Sequence, residues 1–357
     1  MRILQISPFT FDEVGGVSEH VRNISSRLAR RHDVTVYVTD SRKDFPRCEV
    51  ADGVKIMRFS RLAPNDAYFF SLDMLLALRK SRYDIVHAHC YHAFPMHFSP
   101  LASSKKLVIT THFHGVGHST FRNGLVRLLK PFGEHTLKSA GRIIAVSEYE
   151  KQLIYSQFGF DSGKVIVVPN GVTLDDFSGL HKKDHDLKTI LHVGNLFEYK
   201  GSQYLIEVLP KLRPDIVVEI VGRGPLRPYL ENRARELKVS DRVRFIDRLP
   251  RHELMQRFAD ADVFVLLSRY EAYSMVVAEA LTAGTRCIVS KTSALSEWVD
   301  NETCYGIDFP IDLNIFAETI EKALSRSTNQ RGTCKWIGTK ILDWDQVAQK
   351  LENVYLE

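Results

Sequence analysis

The chain has 357 residues, 44% hydrophobic and 25% charged, with a formal net charge of +5. This is the balance of a folded protein and excludes a disordered one, and the length asks for two domains rather than one core. No apolar run reaches the ~18 residues that span a bilayer; no basic and apolar leader precedes the first strand; and five scattered cysteines read as reduced thiols of a cytoplasmic protein.

In chain order, residues 2–7 read as a strand and 18–31 as a helix, with Val21, Ile24 and Leu28 on one face. Residues 34–38, 54–59, 85–88, 107–111, 143–146 and 165–168 read as further strands, the last closed by Pro169-Asn170-Gly171. The polar stretch 175–188 marks a junction, after which the pattern restarts. Strands are expected at 189–193, 216–221, 243–246, 263–267, 287–290 and 304–307, with helices at 203–212, 225–237 and 275–283. Residues 344–356 read as a closing helix carrying Val347, Leu351 and Val354. Strand and helix alternate throughout, so each half is expected to be a Rossmann-like, doubly wound α/β unit. The expected division is 1–174, 175–340 and a C-terminal helix, 341–357, packing back on the first unit. Charge divides unevenly: residues 1–175 hold 23 Lys and Arg against 16 Asp and Glu. That basic half suits an anionic partner or is a solvated surface.

Parallel sheets bind ligands at the carboxyl ends of their strands, and four loops there carry candidate chemistry. Gly15-Gly16 follows the first strand and opens a helix, where backbone N–H groups meet an anion or simply make a tight turn. Gly194-Asn195 and then Lys200-Gly201 follow the first strand of the second half, and a lysine there neutralises a diphosphate. Gly222-Arg223-Gly224-Pro225 is another strand-to-helix turn without the full dinucleotide fingerprint, which counts against a dehydrogenase. Glu271 stands at a strand end, and Glu279 about two turns into the next helix. Between them the N–H groups of Ala272, Tyr273, Ser274 and Met275 point from a helix start at phosphate.

Taken together, these elements and Val168-Pro169-Asn170-Gly171-Val172 resemble the retaining glycosyltransferases of family 4, over nearly the whole chain. The resemblance implies the GT-B fold, with an N-terminal acceptor-binding unit and a C-terminal nucleotide-sugar-binding unit facing across a cleft. It implies that Glu279 binds the donor ribose hydroxyls, Glu271 faces the donor sugar and Lys200 holds the diphosphate. Gly194, Gly222 and Gly224 lie near the nucleotide, and Gly16 approaches from the first unit. His112 contacts the reacting sugar or acceptor, making His112, Glu271 and Lys200 the catalytic set. The expected reaction is metal-independent hexose transfer with retention, from a UDP-, GDP- or ADP-sugar to a hydroxyl acceptor, with no cofactor and no nucleic-acid partner.

The chain departs from this family at three points. Asn195 stands where an arginine is usual, leaving Arg223 or Arg248 to supply a second cation; Ser274 and Ser293-Ala294 stand where glycine is usual. Asn195 also motivates a rival reading, a non-catalytic sugar-nucleotide-binding protein. His87 and His89 lie two apart on a strand and so point the same way, but no cysteine or acid completes a ligand-spaced set with them. The neighbouring His92, His97, His114 and His118 add none, and no metal is expected. Asp260-Ala261-Asp262 falls at the amino end of a strand, away from the ligand edge. Residues 119–142 form a basic amphipathic stretch interrupted by Pro131. It either packs on the first sheet or docks on an anionic membrane, which would place the protein at the inner membrane face.

Overall fold

The structure is a computed structural model that describes residues 1–13, 15–42, 45–62, 69–115, 120–160, 163–183, 186–325 and 334–357; the side chains of 120–123 and 125–129 fall outside that description. The chain divides into two units, Met1–Gly171 with Leu342–Glu357, and Val172–Ile341.

In the first unit the strands are β1 (Arg2–Ser7), β2 (Asp33–Asp40), β3 (Cys48–Ala51), β4 (Val54–Ser60), β5 (Arg82–His89), β6 (Ser103–Thr110), β7 (Arg142–Ala145) and β8 (Val165–Val167). They form one sheet in the order β3-β4-β2-β1-β5-β6-β7-β8. Every pairing is parallel except β3 with β4. Central strands such as β1 are buried on both faces because helices cover both. The winding reverses between β1 and β5, which makes that gap the switch point where parallel sheets take ligands. The helices are α1 (Gly16–Leu28), α2 (Leu72–Leu78), α3 (Phe94–Phe98), α4 (Thr120–Ser139) and α5 (Glu148–Phe158). β3, α2, α3 and α5 are additions to the sequence reading. β3 is short and alternates exposed with half-buried residues, and α2 is too short for its helical period to stand out. Pro131 lies inside α4 and does not end it.

The second unit's sheet contains β10 (Lys188–Val193), β11 (Ile216–Val221), β12 (Val243–Ile246), β13 (Val263–Leu266), β14 (Arg286–Ser290) and β15 (Cys304–Ile307). A two-residue strand, β9 (Gly171–Val172), precedes them at the division. The order is β12-β11-β10-β13-β14-β15, wholly parallel, with its switch point between β10 and β13. Its helices are α6 (Ser202–Val208), α7 (Arg227–Glu236), α8 (Arg251–Asp260), α9 (Met275–Thr282) and α10 (Leu313–Ser325). Ile190, Val218, Val265 and Ile288 from adjacent strands build one core with Leu205, Leu230 and Phe316 from the helices.

The last element, α11 (Trp344–Leu356), belongs to the first unit. Asp343 caps it in a reciprocal box with Gln346. It packs on α1, where Arg27 and Arg30 meet Asp345, and Arg31 and His32 meet Glu352. Tyr355, near its end, reaches the first sheet and bonds both Gln5 and His87.

Candidate active site

At the switch point of the second sheet, the loops after β10 and β13 meet. Gly201 has φ +78, and a Cβ there would stand 2.3 Å from the carbonyl oxygen of Leu267. Only glycine lets the chain after β10 press so closely on the end of β13. The preceding residue, Lys200, is thereby set against Glu271, its Nζ 2.5 Å from Oε1. Both side chains are largely buried, at 18% and 13% exposure. Burial pulls the Lys200 pKa down, but the Glu271 carboxylate more than offsets this and holds it above the ordinary lysine value. Lys200 therefore stays a cation, in a place where its charge is weakly screened.

Glu271 is fixed from behind. Its backbone N–H donates to Ser293 Oγ at 3.0 Å, and its carbonyl accepts from the Ala294 N–H at 3.2 Å. Ser293 thus holds the loop. On the other side of β10, a Cβ on Gly222 would lie 1.9 Å from the Gly194 carbonyl oxygen, so two bare turns are stitched edge to edge. Gly224 follows in the same turn, while Asn195 is exposed. Arg248, two residues past β12, is exposed as well, and Arg223 is engaged by Asp247 at 3.2 Å.

Helix α9 starts at Met275 without a side-chain cap, so its first N–H groups stay available. Ala272 lies in the loop before it, half-buried. The Tyr273 ring turns away into the core against Trp298, its hydroxyl donating to the Lys340 carbonyl at 2.9 Å. Tyr273 can therefore offer a ligand only its backbone. Ser274 sits at φ +78, in the left-handed region that favours glycine. Ser274→Gly is expected to leave stability unchanged or raise it by up to about 1 kcal/mol, since relief of strain outweighs the added freedom of the unfolded chain. Ser274→Val is expected to lose about 1–3 kcal/mol. Urea unfolding of the two variants checks this order.

Glu279 is buried in α9, and Arg251 at the start of α8 bonds it at 2.5 Å. Arg251 is held in turn by Asp176 at 2.8 Å. No sequence spacing ties Arg251 to Glu279, so the sequence reading misses this residue. Its position just past β12, on the ligand edge, is the one signal that could have found it. Asp260 and Asp262 flank the start of β13 at the opposite edge. Asp262 is taken up by Lys182 and by the Thr189 N–H at 2.9 Å.

His192 in β10 is buried, and burial lowers its pKa to about 4, with Lys200 nearby pushing the same way against a bond to the Val265 carbonyl. As pH falls below 6.5 the unfolded chain takes up this proton before the folded one does. The stability from neutral His192 is full above pH 6.5 and is lost as pH drops toward 4, about 3 kcal/mol in all. His192→Gln should therefore flatten the fall in urea midpoint between pH 7 and 5; an unchanged slope refutes the assignment.

The first unit has its own group at its switch point. Gly16 opens α1, which has no side-chain cap, and both Gly15 and Gly16 are exposed. His20 on α1, His89 at the end of β5 and His112 just past β6 converge, with ring centroids 5.4, 5.0 and 6.1 Å apart. His112 has φ +46. Glu150 on α5 holds the residues on both sides of it, accepting from the Thr111 hydroxyl and the Phe113 N–H, and also from the Val146 N–H at 2.6 Å. Burial pushes the Glu150 carboxyl up to about 7 against these three donors. His87 joins no ligand set: its Nδ1 meets the Tyr355 hydroxyl and its Nε2 the Thr110 hydroxyl. The expectation that no ligand-spaced set is completed overlooked His20, which comes from another element altogether. His118 lies outside the described residues.

Residues 14–176 match the family described as Glycosyltransferase Family 4, and residues 175–338 match Glycosyl transferases group 1. The chain is 27% identical to an uncharacterised glycosyltransferase of Methanocaldococcus jannaschii, over 96% of this chain and 94% of that one. It is 28% identical to a glycogen synthase of Mycobacterium tuberculosis, over 100% and 94%. Among solved structures, Anabaena HepE in complex with UDP and glucose superposes with a TM-score of 0.76 at 17% identity, covering 99% of both chains. Two parallel-sheet units with glycine-lined loops at their switch points, and family matches running from residue 14 to 338, lead to one conclusion: the protein is a glycosyltransferase of family 4 with the GT-B fold.

Proposed function

We propose that the protein moves a hexose from a nucleoside-diphosphate sugar to a hydroxyl acceptor, with retention and without a metal. The observation that carries this is the buried Lys200–Glu271 pair at the switch point, beside the uncapped start of α9. In this reading Lys200 and the N–H groups of Ala272 to Met275 take up charge on the departing diphosphate, which is a metal ion's task in other transferases. Glu271 accepts bonds from hydroxyls of the donor sugar, and Glu279 from those of the ribose. Arg251 acts through Glu279, holding its carboxylate ionised and oriented. The acceptor is assigned to the ligand edge of the first unit, with His112 as its contact. The bound UDP and glucose of HepE and the name of the glycogen synthase support a nucleotide-sugar donor. Association of α4 with an anionic membrane belongs to the same proposal, and sedimentation with anionic against neutral liposomes tests it.

Thermal-shift screening of UDP-, GDP- and ADP-sugars tests donor binding, because a ligand held only by the folded state raises stability by RT ln(1 + [L]/Kd). The best donor should then be hydrolysed slowly without acceptor and transferred at an undiminished rate in excess EDTA. A bound donor that is never turned over would favour a pure binding protein, and loss of transfer in EDTA would overturn the metal-free mechanism.

A further inference from the structure

We propose that His20, His89 and His112, all in the first unit, form a tri-histidine site for a zinc ion. Each residue offers one ring nitrogen, and the three nitrogens lie within 4.8 Å of one another. Among the described residues, His20 Nε2, His89 Nδ1 and His112 Nε2 have no hydrogen-bond partner, although all three side chains are more than nine-tenths buried. A buried imidazole nitrogen left bare costs free energy unless something occupies it.

The opposite nitrogens of two of the rings are committed, and that sets their tautomers. His20 Nδ1 lies 2.8 Å from the amide oxygen of Asn170, and His89 Nε2 lies 2.8 Å from the amide oxygen of Gln5. An amide oxygen only accepts, so both of these nitrogens carry the proton and the bare ones carry lone pairs. Gln5 cannot turn its amide around without cost, because its nitrogen already donates to the Tyr355 hydroxyl at 3.2 Å. This is the arrangement of outer partners that aims histidines at a metal. Burial lowers the pKa of His20 to about 4 and those of His89 and His112 well below the ordinary value, so all three are neutral ligands at pH 7.

Three imidazoles select zinc over calcium or magnesium, which want oxygen. Tetrahedral zinc at about 2.0–2.1 Å from each nitrogen sets them roughly 3.3 Å apart, so the rings must draw in by about 1 Å. Trp344 stands edge-on to His20, centroids 5.6 Å apart, and walls that side. His112 keeps 8% exposure, so its side is where an ion enters and where a water would complete the coordination. The Glu150 clamp and the positive φ of His112 then have a use, fixing the third ligand's position. If His112 contacts the acceptor, as proposed above, zinc competes with it and inhibits transfer; this consequence rests on that reading, whereas the binding does not.

The test uses the full chain stripped with a chelator and titrated with Zn2+ alone. One zinc per chain is expected, with a zinc absorption-edge spectrum showing three imidazoles. Co2+ in its place should give the intense visible bands of a low-coordinate ion. His89→Gln and His20→Gln should each weaken binding by 100-fold or more. Gln5→Leu should weaken it about 10–100-fold, whereas a merely structural Gln5 would lower the melting temperature with zinc affinity intact. A sulfur shell, which would place the ion on the cysteines, overturns the proposal on wild-type protein even if the variants fail to fold. Fewer than three imidazoles, or full affinity in both histidine variants, does the same. Zinc that binds as expected in a protein lacking transferase activity overturns only the functional reading.

Discussion

Lys200→Met is expected to lower kcat by about 10²–10³-fold, the usual cost of removing one preorganised charge from a developing anion. The donor KM should change less, because the diphosphate, already a dianion in the bound donor, gains its further negative charge only as the sugar departs. The substitution also strands Glu271, a largely buried carboxylate whose partner stood 2.5 Å away. Breaking such a pair costs about 3–5 kcal/mol, so lost activity alone would be ambiguous. Lys200→Met with Glu271→Gln separates the two effects. The double variant should recover most of the lost stability while its turnover stays well below that of Glu271→Gln alone. If turnover returns with stability, Lys200 serves only to neutralise Glu271, and its assignment to the diphosphate fails. Steady-state kinetics and urea unfolding on wild type and the three variants decide the matter.

Glu279→Gln is expected to weaken donor binding by about 10–100-fold, the range for losing a charged hydrogen bond to a hydroxyl. Its effect on kcat should be smaller, since the ribose is remote from the bond that breaks. Arg251 keeps Asp176 at 2.8 Å, so it is not left wholly unpaired and the fold should tolerate the change. A donor analogue without ribose hydroxyls supplies the control: it should bind wild type and variant equally weakly, as coupling between the two deletions requires. Equal discrimination against the analogue by both proteins would refute the contact. Arg251→Gln should reproduce part of the loss through disorder of Glu279, and should shift KM rather than kcat.

Much of the fold was legible because parallel strands covered on both faces are unmistakable in sequence. A short β-branched run such as Ile216–Val221, bounded by turn residues, reads as a strand buried on both faces. The candidate loops were legible for a related reason: ligands of such sheets gather at the carboxyl ends of the strands. Glycines at those ends, such as Gly222, are demanded by backbone contact that any side chain would block. What could not be read was which side chains face each other. Tyr273 and Ser274 are neighbours at one helix start, yet Tyr273 fills the core and Ser274 carries the strained turn. Arg251 reaches Glu279 only because β12 and β13 end at the same edge.

The sequence by itself therefore determined the class of each unit, the carboxyl edge of each sheet and the glycines that keep those edges bare, because hydrophobic period and turn chemistry are local properties. Tertiary structure alone decided the partners: Lys200 with Glu271, Arg251 with Glu279, and His20 with His89 and His112. These meet where the winding of a sheet reverses, and such a meeting depends on strand order, which no local spacing encodes.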